Sequence, residues 1–178
     1  MFDLDGFIAD CQAAAAEHEP RLAVKQLLDR AVADPTLPEA LPPARAEIVK
    51  LHVTEALTIL KVVWAPGMSV APHDHRMWAA IGVYTGAEDN EFFRRDDSTL
   101  VGSGGRMLRP GDVCLLGDDV IHGVTNPSRQ HAGAIHVYGG DLFAMPRSEW
   151  RGDPLTEEAN DPARTLALFE AANAATTS

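Results

Sequence analysis

The stretch Gly67–Gly86, GMSVAPHDHRMWAAIGVYTG, and its companion Gly111–Asn126, GDVCLLGDDVIHGVTN, decide how this chain is read. His73 and His75 stand two apart, and in an extended strand the side chains at i and i+2 leave from the same face. That spacing suits two inward imidazoles, with His122 joining them from a strand beyond the next hairpins. Asp74, between them, is expected on the opposite face. Glycines punctuate the stretches at Gly67, Gly86 and Gly111, and strand-like runs lie between. Two histidines at this spacing are, on their own, more often surface or core residues than ligands.

Outward from these stretches, short β-like runs recur between turn signals: TILKVVW, AAIGVY, NEFFRR, DVCLL and GAIHVY. Several short strands at this density indicate a sandwich or a closed barrel, not alternating α/β units. Residues 45–145 are expected to form that barrel. Residues 1–44 read as a helical segment followed by a proline-rich connector. Leu22, Leu27 and Leu28 form its stripe, Pro20 sits near the start of a second helix, and Pro35, Pro38, Pro42 and Pro43 impose an extended path along the domain. Residues 146–178 read as a loop, PRSEWRGDPLTEEANDP, and a closing helix from Ala163 that packs on the barrel, with Asp161 at its cap and Pro162 at its first position.

The two punctuated stretches together resemble the paired motifs of the cupin superfamily, whose RmlC-like members are all-β double-stranded β-helices, small jelly-roll barrels. The first cupin motif runs Gly, five residues, His, one residue, His, three or four residues, Glu, six residues, Gly. Gly67, His73, His75 and Gly86 fall on it, while Ala79 or Ala80 takes the Glu position. The second runs Gly, five residues, Pro, one residue, Gly, two residues, His, three residues, Asn. Gly111, His122 and Asn126 fit, with Gly117 for the Pro and Asp119 for the Gly. The resemblance implies a cupin barrel over about Ile48 to Phe143, with N-terminal helices and a C-terminal helix around it, and a metal held by His73, His75 and His122.

Three histidines without the acidic ligand look like the thiol dioxygenases, the group of cysteine dioxygenase and 3-mercaptopropionate dioxygenase. Three neutral imidazoles would leave Fe(II) with its full double charge and open positions, favouring an anionic thiolate beside O2. A loss of the Glu is equally compatible with a weakened site. Cysteine dioxygenases also carry Ser, His and Tyr at alternate positions of a later strand. In AIHVYGGDLF, Ala134 replaces the Ser while His136 and Tyr138 match, so the resemblance implies that His136 orients a Tyr138 hydroxyl toward substrate. The thioether cysteine of some of these enzymes would fall at Ala80, so that crosslink is excluded. Their substrate-binding Arg ahead of the first motif is also missing, since EIVKLHVTEALTIL offers only Lys50 and His52. The candidates for an anion clamp are therefore Arg76, Arg94 and Arg95, because a guanidinium can grip a carboxylate with two parallel hydrogen bonds. Trp78 is placed at the pocket mouth or in the core.

Composition agrees with this picture. A chain of 178 residues, 46% hydrophobic, is long enough for one domain with a substantial core. Its 26 acidic residues against 15 Lys and Arg give a formal charge of -11, which disfavours nucleic acid and anionic membranes as partners and leaves a small diffusible substrate. No apolar run approaches the roughly 20 residues that cross a bilayer, and MFDLDGF lacks the layout of a secretion signal, so a cytoplasmic location is expected. Cys11 and Cys114 are expected reduced. His18, His52 and His131 have no partner spacing and read as structural or solvent-facing. Three functions stay open: an Fe(II) oxygenase adding O2 to a small anionic thiol; a metal-dependent isomerase, lyase or carbon-carbon dioxygenase; and a cupin that binds without turnover. The ligand set also suits Zn or Ni, and an exposed barrel edge leaves room for a homodimer.

Overall fold

The computed structural model describes residues 1–97 and 99–176. Three helices, α1 Leu4–Ala14, α2 Pro20–Ala33 and α3 Leu37–Ala40, precede the strands. These are β1 Glu47–Val53, β2 Thr58–Trp64, β3 Ser69–Asp74, β4 Ala79–Thr85, β5 Glu88–Asp96, β6 Thr99–Leu108, β7 Val113–Leu116, β8 Ile121–Thr125, β9 Ala132–Tyr138, β10 Ser148–Arg151 and β11 Thr156–Ala159. Helix α4, Pro162–Thr176, follows them.

One sheet has the order β1-β2-β9-β4-β7 and the other β11-β10-β3-β8-β5-β6. Within them, β2 to β9 alone give 2-9-4-7 and 3-8-5-6, antiparallel throughout, so the chain passes from sheet to sheet after every strand except β5. That order is a jelly roll, the double-stranded β-helix of a cupin barrel. The expected fold class is met.

Both faces of the five-stranded sheet are covered, which explains why β2 and β9 are buried at every position. Alternate side chains serve different layers. Leu60, Val62, Trp64, Ile81, Val83 and Ala134 fill the space between the sheets. Ile59, Ala80, Ile135 and Val137 face outward onto Phe7, Cys11, Val24 and Leu28 of the helices. Gly82 lets α2 come close: a Cβ there would lie 2.8 Å from Val32 Cγ1 and 3.3 Å from Leu28 Cδ2. On the same side, the buried Lys61 Nζ donates to Pro42 O at 2.7 Å and to Glu47 Oε1 at 2.6 Å, which fastens the connector to the sheet.

Two segments differ from the sequence reading. The connector is not extended throughout, because α3 forms inside it. Asp34 accepts hydrogen bonds from the Thr36 backbone N–H and hydroxyl, Pro38 falls in the first turn where no N–H is needed, and Leu37 and Leu41 are buried. The stretch after the barrel is not a plain loop either. Strands β10 and β11 form a hairpin that extends the six-stranded sheet, with Glu149 paired to His73 and Trp150 buried against Leu100 and Ile121. Both cysteines are free and buried, and burial pushes the Cys11 thiol up to about 12. Among the described residues no helix is long and apolar enough to cross a membrane.

Candidate metal centre

Strands β3 and β8 are neighbours, with His73 directly opposite His122. His75 follows the end of β3, and Arg76, at φ 56°, turns the chain away. The three rings form a close triangle with centroids 5.1, 4.6 and 5.0 Å apart, and one nitrogen of each lies within 4.8 Å of the others. His75 and His122 are buried and His73 is half-buried.

The donor chemistry fits a metal. A carbonyl only accepts, so Ala71 O, 3.0 Å from His73 Nδ1, fixes the proton there and leaves Nε2 its lone pair. Asn90 Oδ1 does the same for His122 Nδ1 at 2.7 Å. The Nε2 atoms of His75 and His122 are 3.4 Å apart. Two nitrogens bound tetrahedrally at ~2.0–2.1 Å would stand roughly 3.3 Å apart. Burial, helped by repulsion among neighbouring cationic forms, keeps the rings neutral. His73 is pushed down to about 4, and His75 and His122 lie well below the usual imidazole range. Neutral imidazole is the ligating form, so the cluster suits a divalent metal ion.

A cavity of about 320 Å³ opens onto these rings. Leu60, Val62, Val70, Val124 and Leu142 make much of its wall, and His136, Tyr138 and Arg147 bring polar groups to it. Tyr138 and His136, two apart on β9, are hydrogen-bonded, with Tyr138 OH 3.0 Å from His136 Nδ1. The Tyr138 ring also packs at 4.9 Å against His75, and burial raises its phenol above the ordinary range, so it is a hydroxyl at neutral pH.

Two residues here escaped the sequence reading. Glu88, fully buried, has Oε2 3.3 Å from His136 Nε2 and 2.9 Å from Trp64 Nε1, while Oε1 accepts from Asn90 Nδ2 at 3.1 Å. A carboxylate thus meets His136 in a chain that has Ala134 where cysteine dioxygenases carry a Ser, and Ala79 contributes only to the core. The available signal was Glu88 and Asn90 at strand spacing just beyond Gly86. Arg147 is the second. Its carboxylate neighbour Glu149 is taken by Arg164 and Asn160, and among the described residues the Arg147 guanidinium has no ion-pair partner. Burial lowers its pKa, and its charge is felt at His73 and His75. Nothing in its sequence context marked it, because PRSEW read as a loop.

His73, His75 and His122 are brought together, with His136 and Tyr138 beside them. The structure does not bring Arg76, Arg94, Arg95 or Trp78 to the cavity. Arg76 pairs with Asp74 at 3.0 Å and with Glu157 at 3.7 Å, Arg94 is exposed and pairs with Asp96 at 3.7 Å, and Arg95 pairs with Glu157 over the Trp150 ring. Carboxylates that do not line the cavity hold all three. Trp78 packs with the helix-side cluster and against Gly139, where a Cβ would come within 2.0 Å of its Nε1. Cys114 lies in the core between the sheets and does not line the cavity.

Fold and site together define a double-stranded β-helix barrel with a three-histidine centre suited to a divalent metal. No family model matches the chain. Among solved structures, it is similar to an RmlC-like cupin family protein with a double-stranded β-helix fold from Methanocaldococcus jannaschii, at 14% identity and a TM-score of 0.46 over 54% of this chain and 81% of that one. It is also similar to peruvianin-I, a cysteine peptidase from Thevetia peruviana latex (21%, TM-score 0.43, 53% of this chain and 60% of that one). An oxalate decarboxylase from Bacillus subtilis matches at 16% and a TM-score of 0.43, over 56% of this chain and 28% of that one. The chain thus spans less than two thirds of the last two, and the fold assignment rests on the strand order.

Proposed function

We propose that this protein is an Fe(II)-dependent oxygenase of the thiol dioxygenase type, which adds both atoms of O2 to the sulfur of a small anionic thiol and releases a sulfinate. The observation that carries this reading is a three-imidazole cluster, with no carboxylate in it among the described residues, facing a cavity lined by a hydroxyl, Tyr138, and by the Arg147 guanidinium, which makes no ion pair among the described residues. Bound by His73, His75 and His122, Fe(II) would supply the electron transfer that lets O2 react with a thiolate. The sum, RS⁻ + O2 → RSO2⁻, needs no other reductant.

The chain's own residues account for the rest. Three neutral imidazoles bring no negative charge, so the centre favours an anionic sulfur. Arg147, which lines the cavity, would hold a carboxylate through two parallel hydrogen bonds and so select a thiol acid over a neutral thiol. Tyr138, fixed by His136, presents a hydroxyl oxygen to whatever lies beside His75. Apolar walls exclude water and strengthen each of these interactions. The test is oxygen uptake by protein loaded anaerobically with Fe(II), against a panel of small thiols with mass detection. Uptake above free iron and a gain of two oxygen atoms on a thiol acid is expected. Metal-loaded protein with no uptake would overturn the reading and turn attention to isomerase, lyase or carbon-carbon dioxygenase chemistry.

A further inference from the structure

Glu88 does not line the cavity and touches none of the three clustered histidines, yet it lies between the two functional halves of the site. Burial alone would raise its carboxyl. The field of His136 and hydrogen bonds from His136, Trp64 and Asn90 outweigh burial and hold it below the usual range, so it is ionised. An ionised carboxylate only accepts hydrogen bonds, and an indole N–H only donates. Each hydrogen-bond partner of Glu88 must therefore be the donor. Asn90 is forced to aim its NH2 at Glu88, 3.1 Å away, which leaves its carbonyl oxygen for His122 Nδ1 at 2.7 Å. His136 is forced to carry its proton on Nε2, so in its neutral form Nδ1 accepts from the Tyr138 hydroxyl.

We propose that Glu88 is a positioning residue whose one buried carboxylate sets the hydrogen-bond direction of the whole centre: through Asn90 it fixes the His122 tautomer that offers Nε2 to a metal, and directly it fixes the His136 tautomer that receives Tyr138. This rests on the histidines being a metal centre and is independent of the substrate.

Glu88→Gln keeps the shape and replaces one acceptor by a donor. The Trp64 and His136 N–H groups both need the remaining oxygen, so the new NH2 faces Asn90. Asn90 must then turn its oxygen toward it and its NH2 toward His122. His122 shifts its proton to Nε2 and loses the lone pair for metal. The expected result is a 10- to 100-fold loss of Zn(II) affinity by chelator competition, the size seen when a ligand's outer partner is removed. In the ¹⁵N spectrum of the metal-free variant, the His122 proton moves from Nδ1 to Nε2. Adding Asn90→Asp to that variant supplies an acceptor to both the glutamine and His122, and Zn(II) affinity should return to within about threefold of wild type. Unchanged affinity in Glu88→Gln would overturn the proposal, as would a folded double variant that is not rescued. If Glu88→Gln does not fold, the wild-type ¹⁵N spectrum decides: His122 protonated at Nδ1 and His136 at Nε2 upholds the proposal, and either ring in the opposite tautomer overturns it. Wild-type protein that takes up no Zn(II) is a different failure, which removes the metal centre itself.

Discussion

His73 has its Nδ1 committed to Ala71 O and His122 has its own committed to Asn90, so each ring keeps one nitrogen for a metal, and burial keeps that nitrogen unprotonated. Metal binding should therefore displace few protons. Zn(II) affinity is predicted to change less than about threefold between pH 7.5 and 6, whereas three imidazoles of ordinary pKa would lose on the order of tenfold or more; chelator competition at the two pH values separates the cases. Arg147→Ala should raise KM for a thiol carboxylate by on the order of tenfold to a hundredfold, the worth of a charged hydrogen bond, and leave the corresponding thiol amide unaffected. An equal rise for both would remove Arg147 as the clamp. Tyr138→Phe should keep metal affinity and lower kcat by roughly a hundredfold, and kinetics with metal-loaded variant would show whether kcat moves alone. At this scale the sequence made the three-histidine cluster legible, because His73, His75 and His122 sit on a spaced pattern. Glu88 and Arg147 were not legible. Their surroundings arise from β5 lying against β8 and from Glu149 being taken by Arg164.

Helix α2 meets β4 at Gly82, and the contact leaves no space for a side chain. Gly82→Ala is predicted to destabilise the protein by about 1–3 kcal/mol through overpacking against Val32 and Leu28, and Leu28→Ala by about 2–5 kcal/mol through the cavity it leaves. Urea unfolding measures both, and a neutral Gly82→Ala would show that α2 is free to move off the sheet. The elements that were legible are those whose own composition states their burial. TILKVVW and GAIHVY are covered on both faces and read as continuous apolar runs. The missed elements are strands by pairing, not by propensity. β6 carries glycines at 102, 104 and 105 and is held by its ladder with β5. β10 and β11 are rich in charge, and Trp150 anchors their hairpin in a buried cluster, with Leu155 of the turn packed against it.

The jelly-roll order of the whole molecule arises from pairings far apart in the chain, such as Leu60 with His136 and His73 with His122. A resemblance in two motifs implied that order, while no local periodicity could have set it. The folded barrel also carries a pH dependence. Burial lowers His73 from 6.5 to about 4, so the unfolded chain binds this proton more readily than the native one. The stability from this residue is complete above about pH 6.5 and is lost as pH falls toward 4, up to about 3 kcal/mol by linkage. Metal-free protein should thus show a falling midpoint of urea unfolding between pH 6.5 and 4, and His73→Asn should make that slope shallower, with the buried His75 and His122 carrying the remainder. The measurement that tests the centre most directly is metal content after anaerobic titration with Fe(II), in the wild type and in His73→Ala. One equivalent per chain in the first and none in the second is the predicted result, and a full equivalent retained by His73→Ala would contradict it.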